Sequence, residues 1–334
     1  MRLLFVVARY ASDVTGGAER HCRQFATRLA GTGHDVEVLT SRAASSTSWA
    51  NHYPAGSSRQ EGVTVHRLPT PGPRDEAYFD ALSWRVLWSG RAAPPPIAEA
   101  WVRAQGPLLA DLVPWLVERA ATFDVVVFFT YLFFTTSAGL RAAAGRVPTV
   151  LHATAHDEKP FWLPVYDGVL RMPDAYAWST EEERDLLRRR GAGGVPGDVV
   201  GVGVDLGAPA RADQSRFRRA HGLGDRPYLL ALGRVAEGKG SLDLASWFAA
   251  YKARRPGPLT LVFAGPAEVA LDLHADVVTT GPLDAETCGD ALDGALALVQ
   301  PSYFESFSMV LSEAWAARKP ALVQRRCEVL AGQA

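Results

Sequence analysis

Two short segments in the last third of the chain bring together residue types that could handle a diphosphate. The first, Pro301-Ser302-Tyr303-Phe304-Glu305-Ser306-Phe307-Ser308, directly follows the apolar run 296–299. Its pattern predicts a helix that opens near Ser306 and carries Glu313. The free backbone amides of such an opening turn, with the positive end of the helix dipole, suit an anion. Ser306 and Ser308 flank Phe307, and their small side chains would let phosphate oxygens approach the amides. Glu305, in the loop, could accept hydrogen bonds from paired sugar hydroxyls. Glu313 stands in the otherwise apolar stretch 309–317, where a carboxylate is costly without a partner; a ribose diol would be one. Taken singly, either acid reads as an ordinary loop or solvent-facing residue; together, with this flanking sequence, the two point to a site.

The second segment, Gly233-Arg234-Val235-Ala236-Glu237-Gly238-Lys239-Gly240, follows the apolar run 228–232. A guanidinium that grips two oxygens and an ammonium acting as a point charge, either side of a flexible turn, fit a pyrophosphate. Two weaker signals lie earlier. Gly16-Gly17-Ala18-Glu19 closes a strand–loop–helix unit, and adjacent glycines admit a close backbone approach as readily as they make a plain tight turn. His156-Asp157-Glu158 follows the apolar run 148–155. An imidazole at that place could bond a sugar hydroxyl or carry a proton, whereas His152, inside the run, reads as a packed histidine.

The elements that must position these residues are α/β. Residues 3–8, a polar glycine loop, a helix in which Cys22, Phe25, Ala26 and Leu29 recur at helical spacing, and a second apolar run at 36–40 form a βαβ unit, hence a parallel sheet. Further strands are predicted at 62–68, 124–129 and 148–155. The stretch 41–61, rich in Ser, Ala and Gly, reads as a mobile surface loop. Residues 75–119 read as helical, broken by Pro94-Pro95-Pro96 and Pro107. They carry Trp84, Trp88, Trp101 and Trp115, either as helix-packing residues or as an exposed face for an acceptor or a membrane surface. Thr180-Glu181-Glu182-Glu183 is a capping box that starts a helix running to Gly191. Residues 192–226 read as the crossing between domains. The pattern then restarts: strand 228–232, glycine loop, helix 241–254, and strands at 259–264, 277–280, 295–299 and 321–323.

Composition narrows the classes. The 334 residues are 48% hydrophobic and 21% charged, typical of a folded protein of two or three domains. Lys and Arg number 35 against 36 Asp and Glu, a net charge of −1, without the basic surplus of a nucleic-acid binder. The three cysteines lack the spacing of a disulfide framework or zinc site and suit a reducing cytosol. The apolar N-terminal stretch is too short for a signal peptide. The uncharged run 125–140, broken by Thr130, Thr135, Thr136 and Ser137, falls short of the roughly 18 residues of a membrane span and reads as a buried strand leading into a helix. No Asp-x-Asp triplet or His/Cys cluster marks a metal, and no Walker loop, nucleophile elbow or full Gly-x-Gly-x-x-Gly motif is present.

Together, Gly16-Gly17-Ala18-Glu19, Gly233-Arg234 with Lys239-Gly240, and Glu305 with Glu313 resemble the signature set of family 4 glycosyltransferases, retaining and metal-independent enzymes. The resemblance implies a GT-B fold: two Rossmann-like parallel-sheet domains facing a cleft, an acceptor-side domain over 1–205 and a nucleotide-sugar domain over 206–334. It implies no cofactor beyond the donor, which is itself a substrate, and an acceptor that could be a glycan, a lipid-linked sugar or a small molecule. By position, Arg234 and Lys239 would neutralise the departing nucleoside diphosphate and Glu305 would orient the donor sugar. Glu313 would hold the ribose, amides around Ser306–Ser308 the phosphates, and His156 would sit near the anomeric carbon. Gly16, Gly17, Gly233 and Phe307 complete the implied donor contacts. Family members often have Gly where this chain has Ser308. They also continue past the point where this sequence stops, so the second domain is expected to be incomplete. A nucleotide-sugar epimerase, or a non-catalytic homologue binding nucleotide sugar or a partner protein, keeps the same donor residues. The expected setting is cytoplasmic, with a peripheral contact at the inner membrane face as the extension.

Overall fold

Along the first strand, alternate side chains enter two different cores. Leu4 and Val6 pack into one apolar cluster, and Leu3, Phe5 and Val7 into another. A strand buried on both faces belongs to a parallel sheet covered by helices on either side, and the computed structural model has two such sheets. It describes residues 1–14, 16–204 and 212–334. These fall into two compact units, Met1–Gly203 and Val204–Ala334; a boundary at 205/206 lies outside the described residues.

The first unit carries β1 (Arg2–Val6), β2 (Asp35–Ser41), β3 (Gly56–Gln60), β4 (Val63–Leu68), β5 (Val125–Phe129), β6 (Thr149–His152), β7 (Ala175–Trp178) and β8 (Gly197–Val199). They form one sheet in the order β3-β4-β2-β1-β5-β6-β7-β8, parallel except for the β3–β4 pair. The register sets Phe5 beside Val38 on one side and Val127 on the other. The chain order reverses between β1 and β5, and ligands of open α/β sheets bind at the carboxyl ends of strands beside such a reversal.

The second unit repeats the plan with β9 (Tyr228–Leu232), β10 (Thr260–Ala264), β11 (Val277–Thr279), β12 (Ala297–Gln300) and β13 (Ala321–Val323). The all-parallel order is β11-β10-β9-β12-β13, with the reversal between β9 and β12. Tyr228 and Leu230 face one core while Leu229 and Ala231 face the other.

Several expectations are corrected. The stretch 41–61 is not one mobile loop: it contains edge strand β3, which pairs with β4 through backbone bonds that small polar residues permit. Trp49 anchors it, buried, its indole N–H donating to the Gln105 carbonyl at 2.7 Å. Strand β8 and the helix Gln214–Ala220 lie within the supposed crossing 192–226; β8 holds only a Gly-Asp-Val segment, too short for periodicity to register. The tryptophans divide: Trp101 is buried, Trp115 packs at the edge of the same core, and Trp84 and Trp88 are exposed. Residues 125–140 are β5 followed by the helix Phe134–Ala143, and among the described residues no helix is long and apolar enough to cross a membrane.

Candidate functional site

The second sheet's reversal point is flanked by the two segments with the densest chemistry, the loop after β9 and the loop after β12. Their approach is set by backbone. Gly240 is left-handed, at φ 69° and ψ 20°, and a Cβ there would overlap the Pro301 carbonyl. Glycine is the residue that accepts both demands. Beside it, the Tyr303 amide donates to the Gly238 carbonyl at 3.2 Å, and the Tyr303 hydroxyl donates to Asp243 Oδ2 at 2.8 Å. The cation loop is thereby stitched onto the acid loop.

The consequence is a direct contact: Lys239 Nζ donates to Glu305 Oε1 at 2.7 Å. Gln300, the last residue of β12, donates its side-chain amide to the same oxygen at 2.9 Å. Glu305 is buried and Lys239 half-buried. A carboxylate removed from water in this way needs such donors. Arg234 is more exposed and also meets an acid, donating from one guanidinium nitrogen to both oxygens of Glu268 at 2.9 and 3.2 Å. Both cations of the loop therefore stand beside carboxylates, a feature that spacing along the chain did not reveal.

The helix after Glu305 begins later than expected. It spans Met309–Ala316, and Ser308 is its N-cap, accepting the Leu311 amide on Oγ at 3.4 Å. Serine favours that capping place over a place inside the first turn, which moves the opening from Ser306 to Met309. The Ser308 amide itself donates to Gln333 Oε1 at 3.1 Å, so it is engaged rather than open. Ser306 and Phe307 are half-buried in the loop before the cap, Gly233 is exposed at the start of the other loop, and Glu313 is half-buried on the new helix.

In the first unit, His156 lies two residues beyond Thr154, at the carboxyl end of β6. Its Nδ1 is 3.5 Å from Glu158 Oε1, which accepts the hydroxyl of buried Tyr131 at 3.0 Å. Thr130 and Thr154, just past the ends of neighbouring strands β5 and β6, both have positive φ, 68° and 47°. The Thr154 hydroxyl donates to that of Thr130 at 3.0 Å. Strained, β-branched residues of this kind cost about 1–3 kcal/mol each and gather at ligand sites. Nothing in their residue type announces it, since left-handed backbone normally selects Gly or Asn.

Behind this edge lies Glu183, fully buried, accepting the Ala155 amide at 2.6 Å and the Ser179 amide at 2.5 Å. Thr180 Oγ1 accepts the Glu183 amide at 3.1 Å, as the capping box requires, and the glutamate carboxylate also reaches across to the backbone just past β6. Burial pushes its carboxyl up to about 7, against the opposing pull of the two amides. His152 is the packed histidine expected, its ring 4.6 Å from that of buried His21. Burial lowers His152 to about 3, helped by His21, and lowers His21 to about 4.

The glycine pair also resolves into two roles. A Cβ on Gly16 would overlap the Glu19 carboxylate, which turns back to form a buried ion pair with Arg9 at 2.6 Å. Gly17 is exposed, and open space lies where its Cβ would be. Gly16 is thus explained by the Arg9–Glu19 pair, whereas Gly17 has no such steric requirement.

Both units resemble known proteins. Residues 16–203 match the family model described as a glycosyl transferase 4-like domain, and residues 226–332 match that of glycosyl transferases group 1. A glycogen synthase of Mycobacterium tuberculosis is 28% identical over 96% of this chain and 77% of its own. Sucrose-phosphate synthase from Thermosynechococcus elongatus superposes with a TM-score of 0.67 at 18% identity, covering 96% of this chain and 80% of that one. Anabaena HepE, solved in complex with UDP-glucose, gives 0.62 at 16% identity over 97% and 80%. With one family model spanning most of the first unit and the other most of the second, this chain belongs to the glycosyltransferases and has their GT-B fold.

Proposed function

We propose that this glycosyltransferase moves a hexose-type sugar from a nucleotide-sugar donor to an acceptor hydroxyl, with retention at the anomeric carbon and without a metal. The contact between Lys239 and Glu305 carries the reading. It puts a cation suited to phosphate and an acid suited to sugar hydroxyls at one point, beside the strand reversal of the second unit. Nucleotide sugar is supported as donor by the UDP-glucose complex of Anabaena HepE.

As the bond from the anomeric carbon to the phosphate oxygen breaks, the sugar becomes oxocarbenium-like and negative charge builds on the diphosphate. Lys239 and Arg234 neutralise that charge, with Arg234 exchanging Glu268 for phosphate oxygens; such preorganised charge commonly supplies the largest part of catalysis. Glu305 keeps one oxygen on Lys239 and Gln300 and turns the other toward sugar hydroxyls. Loop amides at Ser306 and Phe307 and the small Gly233 border the phosphates, and Glu313 takes the ribose diol. The acceptor oxygen bonds the anomeric carbon on the face the diphosphate leaves, and its proton passes to the departing phosphate oxygen. His156, at the carboxyl end of β6, is suited to a sugar hydroxyl, and Gly17 to a close backbone approach. Three free cysteines, two of them buried, suit a reducing cytosol for this work.

A thermal-shift screen with UDP, GDP, ADP and their sugars identifies the donor, because a ligand that binds only the folded state raises apparent stability. Turnover of that donor in EDTA, with the product's anomeric configuration read by NMR, tests the chemistry. Retained configuration and released nucleoside diphosphate are expected. An inverted product, a strict metal requirement, or an epimerised donor with no diphosphate released would sink the proposal.

A further inference from the structure

The helix Glu76–Ser89 is apolar on two faces. Leu82 and Val86 point into the main core of the first unit, with Phe79 and Leu87 at its margin. On the outward side Trp84 and Trp88, one turn apart, are 73% and 83% exposed. The two indoles lie nearly parallel, 9° apart with ring centroids at 6.2 Å. Amphipathic packing accounts for one apolar face of a surface helix and leaves a second one unexplained.

Cations surround this stripe. Arg85 lies on the helix beside Trp84, Arg91 follows its end, and Lys159 lines with Trp84 and Trp88 an open cavity of about 400 Å³. Arg85, Arg91 and Lys159 are exposed. The short helical turns that carry Arg91 and Lys159 pack on one another. The one acid on the outward face of the helix between Tyr78 and Trp88 is Asp80.

We propose that this face docks on the surface of an anionic phospholipid bilayer. Indoles are side chains that settle at the boundary between headgroups and acyl chains, and flanking Lys and Arg supply attraction to negative lipid. The two indoles offer roughly 300–500 Å² of aromatic surface, taking about 150–250 Å² per ring. That is well below the roughly 800 Å² each partner gives to a stable protein interface, yet ample for shallow insertion. The cavity between the indoles and Lys159 lets a headgroup phosphate meet the ammonium while the glycerol region rests on the rings. All of these residues lie in the first unit, outside the donor crevice, so docking and transfer fail or succeed separately.

Flotation of the full chain with vesicles tests the proposal. Binding is expected with phosphatidylcholine vesicles containing about 30% phosphatidylglycerol and not with phosphatidylcholine alone, and it weakens as salt rises. Trp84→Ala with Trp88→Ala should lower partitioning about ten-fold or more, and Arg85→Gln, Arg91→Gln and Lys159→Gln together should remove the preference for anionic lipid. Unchanged far-UV circular dichroism and unfolding midpoint show that these surface variants fold. No flotation with anionic vesicles, or equal flotation of the parent and the double tryptophan variant, overturns the proposal. So does a dimer seen by light scattering that the tryptophan variant dissolves, for then a second copy covers the face.

Discussion

The ammonium of Lys239 and the carboxylate of Glu305, 66 positions apart in sequence, meet at 2.7 Å on the carboxyl edge of the second sheet. The pair joins the loop after β9 to the loop after β12, with Gln300 as a third member. Because each side chain depends on the other for its place, their contributions to turnover should not be independent.

Lys239→Ala is expected to lower kcat about 10²–10³-fold, the usual consequence of losing one donor at a developing oxyanion. Glu305→Gln should lower it as well, and the double variant should cost less than the two single losses combined. Steady-state kinetics over the four proteins checks this. Strict additivity would place the two groups in separate roles.

Arg234 and Glu268 are both substantially exposed, so their ion pair contributes no more than about 1 kcal/mol to folding. Glu268→Gln should leave the urea midpoint almost unchanged and tighten nucleoside diphosphate binding a few-fold, because the guanidinium no longer has to leave a carboxylate. Arg234→Ala combined with Lys239→Ala should abolish transfer. Calorimetric titration with the diphosphate and a turnover assay read the two outcomes.

Gly240→Ala places a methyl against the Pro301 carbonyl on a left-handed residue. A loss of about 1–3 kcal/mol of stability is expected, with weaker nucleotide binding as the two loops part. Gly17→Ala, where a Cβ meets open space, should leave stability nearly unchanged. Chemical denaturation of both variants makes the comparison.

The first unit should show two opposing pH dependences. His152 and His21 are held uncharged, at about 3 and about 4, by burial. The unfolded chain takes up these protons below about 6.5, so this part of the stability is present above that value and lost as pH falls toward 4 and 3. Glu183 behaves in the reverse sense. Its carboxyl is raised by burial to about 7, so its contribution is present below the ordinary carboxyl range and lost as pH rises through about 7. Glu183→Gln should therefore remove the decline on the neutral side, while His21→Asn should reduce the loss on the acid side. Urea titrations between about pH 5 and pH 8 follow both, and a parent protein with no slope in this window would contradict them.

Much of the fold was readable because parallel strands buried on both faces make near-continuous apolar runs, as at residues 3–7 and 228–232. What escaped reading had little or no side-chain pattern. Strand β3, Gly-Ser-Ser-Arg-Gln, is held by backbone pairing with β4. The start of the helix after Glu305 was misplaced because Ser306 and Ser308 are both plausible caps by type, and only the bond from the Leu311 amide selects the second. Thr130 and Thr154 gave no signal at all, since a threonine says nothing of the positive φ imposed on it.

The amino-acid order alone determined that two α/β units follow one another and which residue types stand after their strands, because burial writes itself into local periodicity. The tertiary structure decided who meets whom: Lys239 with Glu305, Arg234 with Glu268, Glu19 with Arg9, Glu183 with the end of β6. A charge's partner is chosen by strand order, register and the reach of a few glycine turns, and those quantities exist only once distant segments have been brought side by side.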